Sequence, residues 1–312
     1  MQDDFDFTRP HPALKVSGAE TGSVSAPFKP AVSKYYDAEV ATLFFQISGK
    51  KERFAAGETL FVENDKSGKQ GLFGKRVVHR MYLITEGEVA LSAGGKALDT
   101  IKAGEIFGEM AVVSETPAGS TRSATATVKT DCTAFSLDTE ELQTALSRTP
   151  EFALMLMSVM FDRLRFVAAR LAMRKIAPGK NSMREAAVFD GAALASLEQK
   201  LERATTMRYE AGKMIMHEGD AGTSMYIVLD GRVAISISGK VVEQLGAGGT
   251  FGEMALVDQS PRTASAIAET ECSLLAINRA ALLALVRDEP AVGLTMLRSV
   301  TERLRHMNAL LS

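Results

Sequence analysis

The chain has 312 residues, 46% of them hydrophobic and 24% charged, which is the composition of an ordinary globular protein long enough for about two domains. Its 36 Lys and Arg against 38 Asp and Glu give a net charge of −2, whereas nucleic-acid binders usually carry a basic excess. No apolar run approaches the ~18 residues of a membrane span, the acidic start MQDDFDF is not a secretory signal, and the cysteine content suits a reducing, cytoplasmic compartment.

The chain begins with a segment, residues 1–35, that is rich in Pro, Ser, Ala and Gly and shows little periodicity. We predict a flexible N-terminal tail here, which is either a leader without a role or a segment that docks on a partner. The Pro-Gly-Lys-Asn-Ser sequence at 178–182 predicts a second break, a linker at 178–185. The breaks divide the rest into a first domain at 36–177 and a second at 186–312.

These two domains are copies of one another. The sequence FGEMA at 107–111 recurs at 251–255 with an offset of 144 residues, and from Arg122 against Arg262 onward the offset is 140. The shifts in offset place eleven extra residues around 66–79 and four around 115–121 of the first copy.

Each copy follows the same order of predicted elements. A short amphipathic helix, at 38–47 and at 190–203, leads into short alternating runs such as 225–229 and 233–237. Asp-Gly, Ser-Gly and Ala-Gly-Gly signals separate these runs, which is turn chemistry. The predicted fold class is mainly β with flanking helices (α+β), namely two tandem jelly-roll-like β-rolls, each closed by a C-terminal helix.

Both closing helices carry apolar residues in steps of three and four, the a/d pattern of a helix that packs on another helix. Either each helix lies back on its own roll, or the helices meet between the copies or between two chains, which would give a homodimer through the closing helices. The seam residues are Met157, Met160, Leu164, Val167 and Leu171 in the first copy, and Leu297, Val300, Leu304, Met307 and Leu311 in the second.

Several classes of chemistry have no support in the sequence. The four His residues are far apart and form no metal-binding pattern. A GxSxG elbow, a phosphate-binding Walker loop and a kinase signature are also missing. We therefore expect no catalytic residues, no metal and no cofactor.

The most informative stretch is 251–266 in the second copy. Gly252 lets backbone approach a ligand closely, and the residues after it can start a short helix whose free N–H groups attract an anion. Arg262 supplies a forked cation for two phosphate oxygens, and Glu253 can accept a hydrogen bond from a sugar hydroxyl. This combination describes a pocket for a singly charged, ribose-bearing phosphate.

On this motif, residues 38–175 and 186–311 resemble the cyclic nucleotide-binding domain family, which includes the sensory domain of the bacterial catabolite activator, protein kinase A regulatory subunits and cyclic-nucleotide-gated channels. The resemblance implies that Glu253 holds the ribose 2′-hydroxyl, that Arg262 holds the cyclic phosphate, and that cAMP or cGMP is the ligand. The implied ligand-binding residues of this copy are Phe251, Gly252, Glu253, Met254, Arg262, Thr263 and Ala264.

The first copy keeps the same residue types, but twelve residues separate its Glu from its Arg instead of eight. A longer segment could displace the guanidinium, so we expect ligand binding here with an altered affinity, and an empty structural roll is the alternative. The candidate residues are Phe107, Gly108, Glu109, Met110, Arg122, Ser123 and Ala124.

The sequence leaves the base open. Thr263 and Ser123 resemble a hydroxyl position of cGMP-tolerant relatives, and a hydroxyl there permits cGMP without demanding it. Asn308 falls near the place where the family's closing helix contacts the base.

Two further features, a pair of cysteines and a basic run, have simple structural interpretations. Cys132 and Cys272 are equivalent under the 140-residue offset, and we predict buried structural thiols rather than a disulfide. The closing helix of the first copy and the linker form a basic run, which is either a solvated face or a salt-bridge surface between domains or with a partner. Its cations are Arg163, Arg165, Arg170, Arg174, Lys175, Lys180 and Arg184.

Taken with the resemblance, these features predict a soluble cyclic nucleotide receptor that changes conformation and signals to an unidentified effector protein. Catabolite-activator relatives continue into a helix-turn-helix beyond their last helix, whereas this sequence stops at Ser312, so we expect no DNA binding. Residues 1–35 hold no kinase-inhibitor sequence of the Arg-Arg-x-Ser/Ala type, so we do not expect the role of a protein kinase A regulatory subunit. The alternative function is a scaffold or dimerisation protein with degenerate, ligand-free rolls.

Overall fold

The computed structural model describes residues 36–67, 78–114, 119–173, 187–200 and 205–309. The predicted tail and linker lie outside these residues, and so does Leu311. The domain boundaries predicted from the sequence therefore stay predictions.

The described part of the first copy contains a helix, eight short strands interrupted by one short helix, and two closing helices. In chain order these are α1 (Ala38–Ser48), β1 (Lys50–Phe54), β2 (Thr59–Phe61), β3 (Met81–Glu86), β4 (Val89–Ala93), β5 (Lys96–Ile101), β6 (Ile106–Phe107), α2 (Glu109–Val113), β7 (Thr125–Val128), β8 (Cys132–Leu137), α3 (Thr139–Arg148) and α4 (Glu151–Met173).

The second copy repeats this order. Its elements are α5 (Gly191–Lys200), β9 (Thr205–Tyr209), β10 (Met214–Met216), β11 (Ser224–Asp230), β12 (Val233–Ile237), β13 (Lys240–Leu245), β14 (Thr250–Phe251), α6 (Glu253–Asp258), β15 (Ser265–Ala268), β16 (Cys272–Asn278), α7 (Arg279–Asp288) and α8 (Pro290–Ala309).

Each copy folds as two antiparallel four-stranded sheets with the same strand order. The sheets are β1-β8-β3-β6 and β2-β7-β4-β5 in the first copy, and β9-β16-β11-β14 and β10-β15-β12-β13 in the second. The alternation of side chains sets the faces, since β7 and β15 both alternate half-buried and buried residues along the strand. The predicted fold class, two tandem β-rolls with flanking helices, is confirmed.

The predicted turn signals also form turns. Ser238 and Gly239, between β12 and β13, have φ angles of 49° and 75°. Two successive positive φ angles match the twist of a two-residue hairpin loop, and Gly adopts this conformation at the least steric cost. Gly94 and Gly95 take the same positions in the first copy, with φ angles of 55° and 74°.

The closing helices α4 and α8 pack against each other within one chain. Met160, Leu164 and Val167 of α4 and Leu297, Val300 and Leu304 of α8 are all buried. One apolar core cluster joins residues of both copies, from Phe45 to Val300. The seam is thus a contact between the two copies, and a homodimer through the same helices stays a prediction.

Cys132 on β8 and Cys272 on β16 are both buried and unpaired with each other, as predicted. Burial raises the pKa of each thiol, so both stay neutral near pH 7. Among the described residues, no helix combines the length and the apolar character that crossing a membrane needs.

Candidate functional site

In the second copy the predicted site begins at a left-handed glycine. Gly252 has a φ of 78° and forms the N-cap of α6, so the chain turns sharply between β14 and the helix. A Cβ at this position would lie 2.6 Å from Nη1 of Arg262. The glycine is therefore required both for its backbone conformation and because the arginine lies directly against it.

Arg262 is the central cation of this site and is only 6% exposed. Its Nη1 donates to the carbonyl oxygen of Gly252 at 2.7 Å, and its Nη2 donates to that of Ser224 at 2.7 Å. Within the described part of the chain, no carboxylate forms an ion pair with it. Burial consequently lowers the pKa of the Arg262 guanidinium, although Tyr226, Glu253 and Asp220 oppose the effect.

The first copy builds the same arrangement around Arg122, which is 4% exposed. Nη1 of Arg122 donates to the carbonyl oxygen of Gly108 at 3.0 Å, and Nη2 donates to that of Arg80 at 2.8 Å. Gly108 has a φ of 76° and caps α2 as Gly252 caps α6. Arg80 and Ser224 are repeat-equivalent, so the two guanidinium groups make matching contacts.

The longer segment of the first copy therefore leaves Arg122 in place, contrary to the displacement considered from the sequence. Its backbone amide donates to the carbonyl oxygen of Asp65 at 2.9 Å, as the amide of Arg262 does to Asp220 at 2.8 Å. Asp65 lies just before the first insertion, and Arg80 and Gly108 follow it, so residues on both sides of the insertion hold Arg122.

The described residues of the two insertions in the first copy are hydrogen-bonded to each other. The amide of Ser120 donates to Oγ of Ser67 at 2.7 Å, and Oγ of Ser120 lies 2.7 Å from Nδ1 of His79. All three side chains are buried. The described ends of the two insertions therefore contact each other next to Arg122.

Glu109 and Glu253, the residues predicted to bind the ribose, are also buried, and each contacts the closing helix of its own copy. Glu109 forms an ion pair with Arg163 of α4, and Glu253 forms one with Arg303 of α8. Arg303 also donates to the carbonyl oxygen of Thr250 at 2.7 Å. Burial alone would lower the pKa of Arg303, but the neighbouring carboxylates of Glu243 and Glu253 outweigh it and raise that pKa.

Arg163 and Arg303 contact the site, although sequence reasoning does not single them out. Arg163 belongs to the basic run, for which a solvated face is the simplest interpretation, whereas its side chain is 12% exposed and pairs with Glu109. The available signal was the repeat itself, because an Arg-Leu pair recurs at 163–164 and 303–304.

The residues predicted to read the base are only partly described. The hydroxyls of Ser123 and Thr263 lie 3.9 Å and 3.4 Å from the sulfur atoms of Met110 and Met254, respectively. Ala124 and Ala264 directly follow Ser123 and Thr263 in the chain. Phe107 and Phe251, just before the two glycine turns, are buried. Asn308 belongs to α8, but its side chain lies outside the described residues.

The chemistry of the site is therefore binding through charge and hydrogen bonds. Each copy places a buried guanidinium, a glycine turn and a buried Glu in an ion pair with the closing helix next to one another. Within the described ranges, no three His, Cys, Asp or Glu side chains are grouped so that they could hold a metal ion.

A family model described as "Cyclic nucleotide-binding domain" matches residues 51–149 and 206–289, together more than half of the chain. The chain is 34% identical over 128 residues to a cyclic AMP receptor protein of Thermus thermophilus, an alignment covering 39% of this chain and 59% of the relative. It is 28% identical over 199 residues to a cAMP-dependent protein kinase regulatory subunit of Eremothecium gossypii, covering 64% of this chain and 38% of the relative. The chain thus spans about half the length of the curated relatives that it matches.

Solved structures give similar matches. The Thermus thermophilus catabolite activator protein is 34% identical with a TM-score of 0.36, covering 40% of this chain and 62% of that one. The regulatory domain of Toxoplasma gondii PKA with cAMP is 20% identical with a TM-score of 0.28, covering 80% and 87% of the two chains.

Proposed function

The chain belongs to the cyclic nucleotide-binding domain family, and from this membership we propose that it is a two-site receptor for cAMP or cGMP that changes conformation on binding and signals to a partner protein. The two curated relatives described above are a cyclic AMP receptor protein and a protein kinase regulatory subunit, and both names describe a regulatory protein. The proposal includes the residues that bind the nucleotide, the number of binding sites and the signal to the partner protein.

One observation carries the proposal, namely the buried and uncompensated charge of Arg262. A guanidinium has five N–H donors, and the carbonyls of Gly252 and Ser224 accept from two nitrogens. A buried cation is costly unless an anion pairs with it. The cyclic phosphate of the ligand supplies one negative charge at this place, and Arg122 provides the equivalent place in the first copy.

The Glu residues connect the ligand to the closing helices. Glu109 and Glu253 each have two carboxylate oxygens, and an Arg from the closing helix contacts Oε1. The remaining acceptor capacity suits a ribose hydroxyl, so sugar and helix share one carboxylate. A ligand that favours one helix position shifts the protein towards it, and only its differential affinity for the two positions can drive the change.

The other parts of the proposal extend beyond the two sites. The output passes to an effector protein, and the chain acts as a regulator rather than as an enzyme. A cytoplasmic location and the absence of DNA binding stay predictions. The alternative, a scaffold with ligand-free rolls, was suggested by the longer segment of the first copy, and the contacts of Arg122 with Gly108 and Arg80 weigh against it.

Calorimetric titration of the wild-type protein with cAMP, with cGMP and with linear AMP tests the proposal. We expect two equivalents of a cyclic nucleotide to bind, and Glu109→Gln and Glu253→Gln each to weaken one site. Linear AMP carries a second phosphate charge and is the matched control. Absence of heat and of a thermal shift with both cyclic nucleotides would refute the receptor and leave the scaffold.

A further inference from the structure

Each closing helix carries a second arginine two residues after the one that contacts its own Glu. These are Arg165 on α4 and Arg305 on α8, and they are repeat-equivalent under the 140-residue offset. Two residues correspond to about 200° around a helix, so the second arginine faces away from the first. In both helices it faces the other copy.

Arg305 of the second copy reaches the phosphate segment of the first. Its Nη2 donates to the carbonyl oxygens of Met110 at 3.3 Å and Thr121 at 3.2 Å. Met110 directly follows Glu109, and Thr121 directly precedes Arg122, so one guanidinium joins both ends of the candidate site. Burial lowers the pKa of Arg305, and Glu302 and Glu109 oppose that effect.

Arg165 makes the reciprocal contact in the second copy. Its Nη2 donates to a carboxylate oxygen of Asp258 and, at 3.0 Å, to Oγ of Ser260, while Nη1 pairs with Asp162 on its own helix. Asp258 is the last residue of α6 and is 3% exposed. Its other carboxylate oxygen accepts from the amide of Ser260 at 3.1 Å, two residues before Arg262.

We infer that Arg305 and Arg165 are positioning residues for the nucleotide sites, each holding the phosphate segment of the opposite copy in its binding conformation. This inference rests on the proposed function and adds its regulation. Because α8 contacts Glu253 through Arg303 and the first site through Arg305, a ligand that moves α8 changes both sites. The helix α4 connects them in the opposite direction, so the affinities of the two sites are coupled.

Hydrogen–deuterium exchange of the nucleotide-free protein tests the positioning directly. The variants are Arg305→Gln and Arg165→Gln, and the control is Arg148→Gln, which removes the same charge from an exposed position. We expect Arg305→Gln to speed exchange in 108–122 and leave 252–262 unchanged, and Arg165→Gln to do the reverse. If Arg305→Gln is poorly folded, Arg305→Lys takes its place. It keeps the positive charge but loses the forked guanidinium, so exchange in 108–122 should be faster than in the wild type and slower than expected for Gln.

Binding in single-site backgrounds tests whether this positioning affects the affinity of the opposite copy's site. With the second site removed by Arg262→Ala, Arg305→Gln should weaken cAMP binding at the first site by about tenfold. With the first site removed by Arg122→Ala, Arg165→Gln should weaken the second site to a similar extent. The control Arg148→Gln should leave both affinities within about twofold of the parent.

The outcomes separate this inference from the function on which it rests. Exchange or affinity changes confined to the variant's own copy, or no change at all, would overturn the inference. Crossed changes in exchange together with no nucleotide binding in any protein would support the positioning role and refute the receptor function.

Discussion

At the scale of single residues, each candidate site is built around a buried arginine, Arg122 in the first copy and Arg262 in the second. The Arg262 guanidinium is held by two backbone carbonyls, and neutral dipoles compensate a buried charge less well than an anion does. Under the proposed function, this guanidinium is therefore already in place for an anionic ligand. Pre-organisation of this kind improves affinity because few groups have to be ordered on binding.

Replacing the glycine that lies against Arg262 should affect binding more than folding. Gly252→Ala places a Cβ 2.6 Å from Nη1 of Arg262, and Gly212→Ala is the control, since it has a similar φ of 81° with no atom within 4 Å. Both should lower the free energy of unfolding by about 1–2 kcal/mol because of the left-handed backbone. Only Gly252→Ala should also weaken nucleotide binding at the second site, measured by calorimetry in the Arg122→Ala background. Equal affinities for the two variants would contradict the close packing of glycine and arginine.

The sequence predicts residues at this scale where neighbours along the chain determine the chemistry. Gly252, Glu253 and Arg262 lie within one short segment, and their roles follow from residue type and spacing. Arg303 and Arg305 approach the sites from a helix some fifty and more than a hundred and eighty residues away in sequence. Their contacts depend on how the helices pack, which a single sequence does not specify.

At the scale of elements, the start of α3 supports the first site through Arg80. The Arg80 guanidinium donates to Asp138 at 3.1 Å and to Glu141 at 2.7 Å, while its carbonyl oxygen accepts from Arg122. Asp138 and Glu141 also form a capping box at the start of α3. The helix terminus and the binding residue therefore share one network.

This network predicts a specific response to pH. Burial would raise the pKa of Glu141, but hydrogen bonds from Lys50, the Asp138 amide and Arg80 outweigh it and hold the pKa below the ordinary 4.5. The ionised carboxylate therefore stabilises the fold fully above that value, and this stabilisation is lost as the pH falls through the lowered pKa. Glu141→Gln should lower the free energy of unfolding by about 1 kcal/mol at pH 7.

Urea unfolding at pH 7 and near pH 3 measures this effect, with Glu140→Gln as the exposed control on the same helix. The difference between wild type and Glu141→Gln should shrink at the lower pH, because the stabilisation by the carboxylate is lost as the pH falls through the lowered pKa of Glu141. A difference that stays constant between the two pH values would contradict the assignment of the stabilisation to the charge of Glu141.

Secondary structure follows the sequence closely where the periodicity is local. The helices predicted at 38–47 and 190–203 are found as α1 at 38–48 and α5 at 191–200. The insertions are located correctly from the changes in offset, but their mutual support through Ser67, His79 and Ser120 is not predictable. That contact joins parts of the chain some fifty residues apart.

At the scale of the whole molecule, α4 and α8 contribute to one apolar cluster that joins the two copies, while each roll also has an apolar cluster of its own. The a/d pattern left open whether each closing helix packs on its own roll, on the other copy or on a second chain. In the structure, α4 and α8 pack against each other. Leu304 of α8 packs with Leu164 and Val167 of α4 and with Met110 beside the first site. The seam is thus continuous with the binding segment.

A cavity in this seam should destabilise both rolls together. Leu304→Ala removes a side chain that is 2% exposed, so the free energy of unfolding should fall by about 2–5 kcal/mol. Leu43→Ala on α1, where the side chain is 57% exposed, is the control and should change it by less than about 0.5 kcal/mol. Differential scanning calorimetry should show one transition for each protein. A second transition in Leu304→Ala that leaves one roll at its original temperature would argue against the shared apolar cluster.

The central claim is that each copy binds one cyclic nucleotide through its own buried arginine. Calorimetric titration of wild type, Arg122→Ala and Arg262→Ala with cAMP and with cGMP tests it most directly. We predict two sites in the wild-type protein and one in each variant, and the nucleotide with the higher affinity is the better candidate for the natural ligand. A single wild-type site that is lost only with Arg262→Ala would contradict the claim and make the first copy a structural domain.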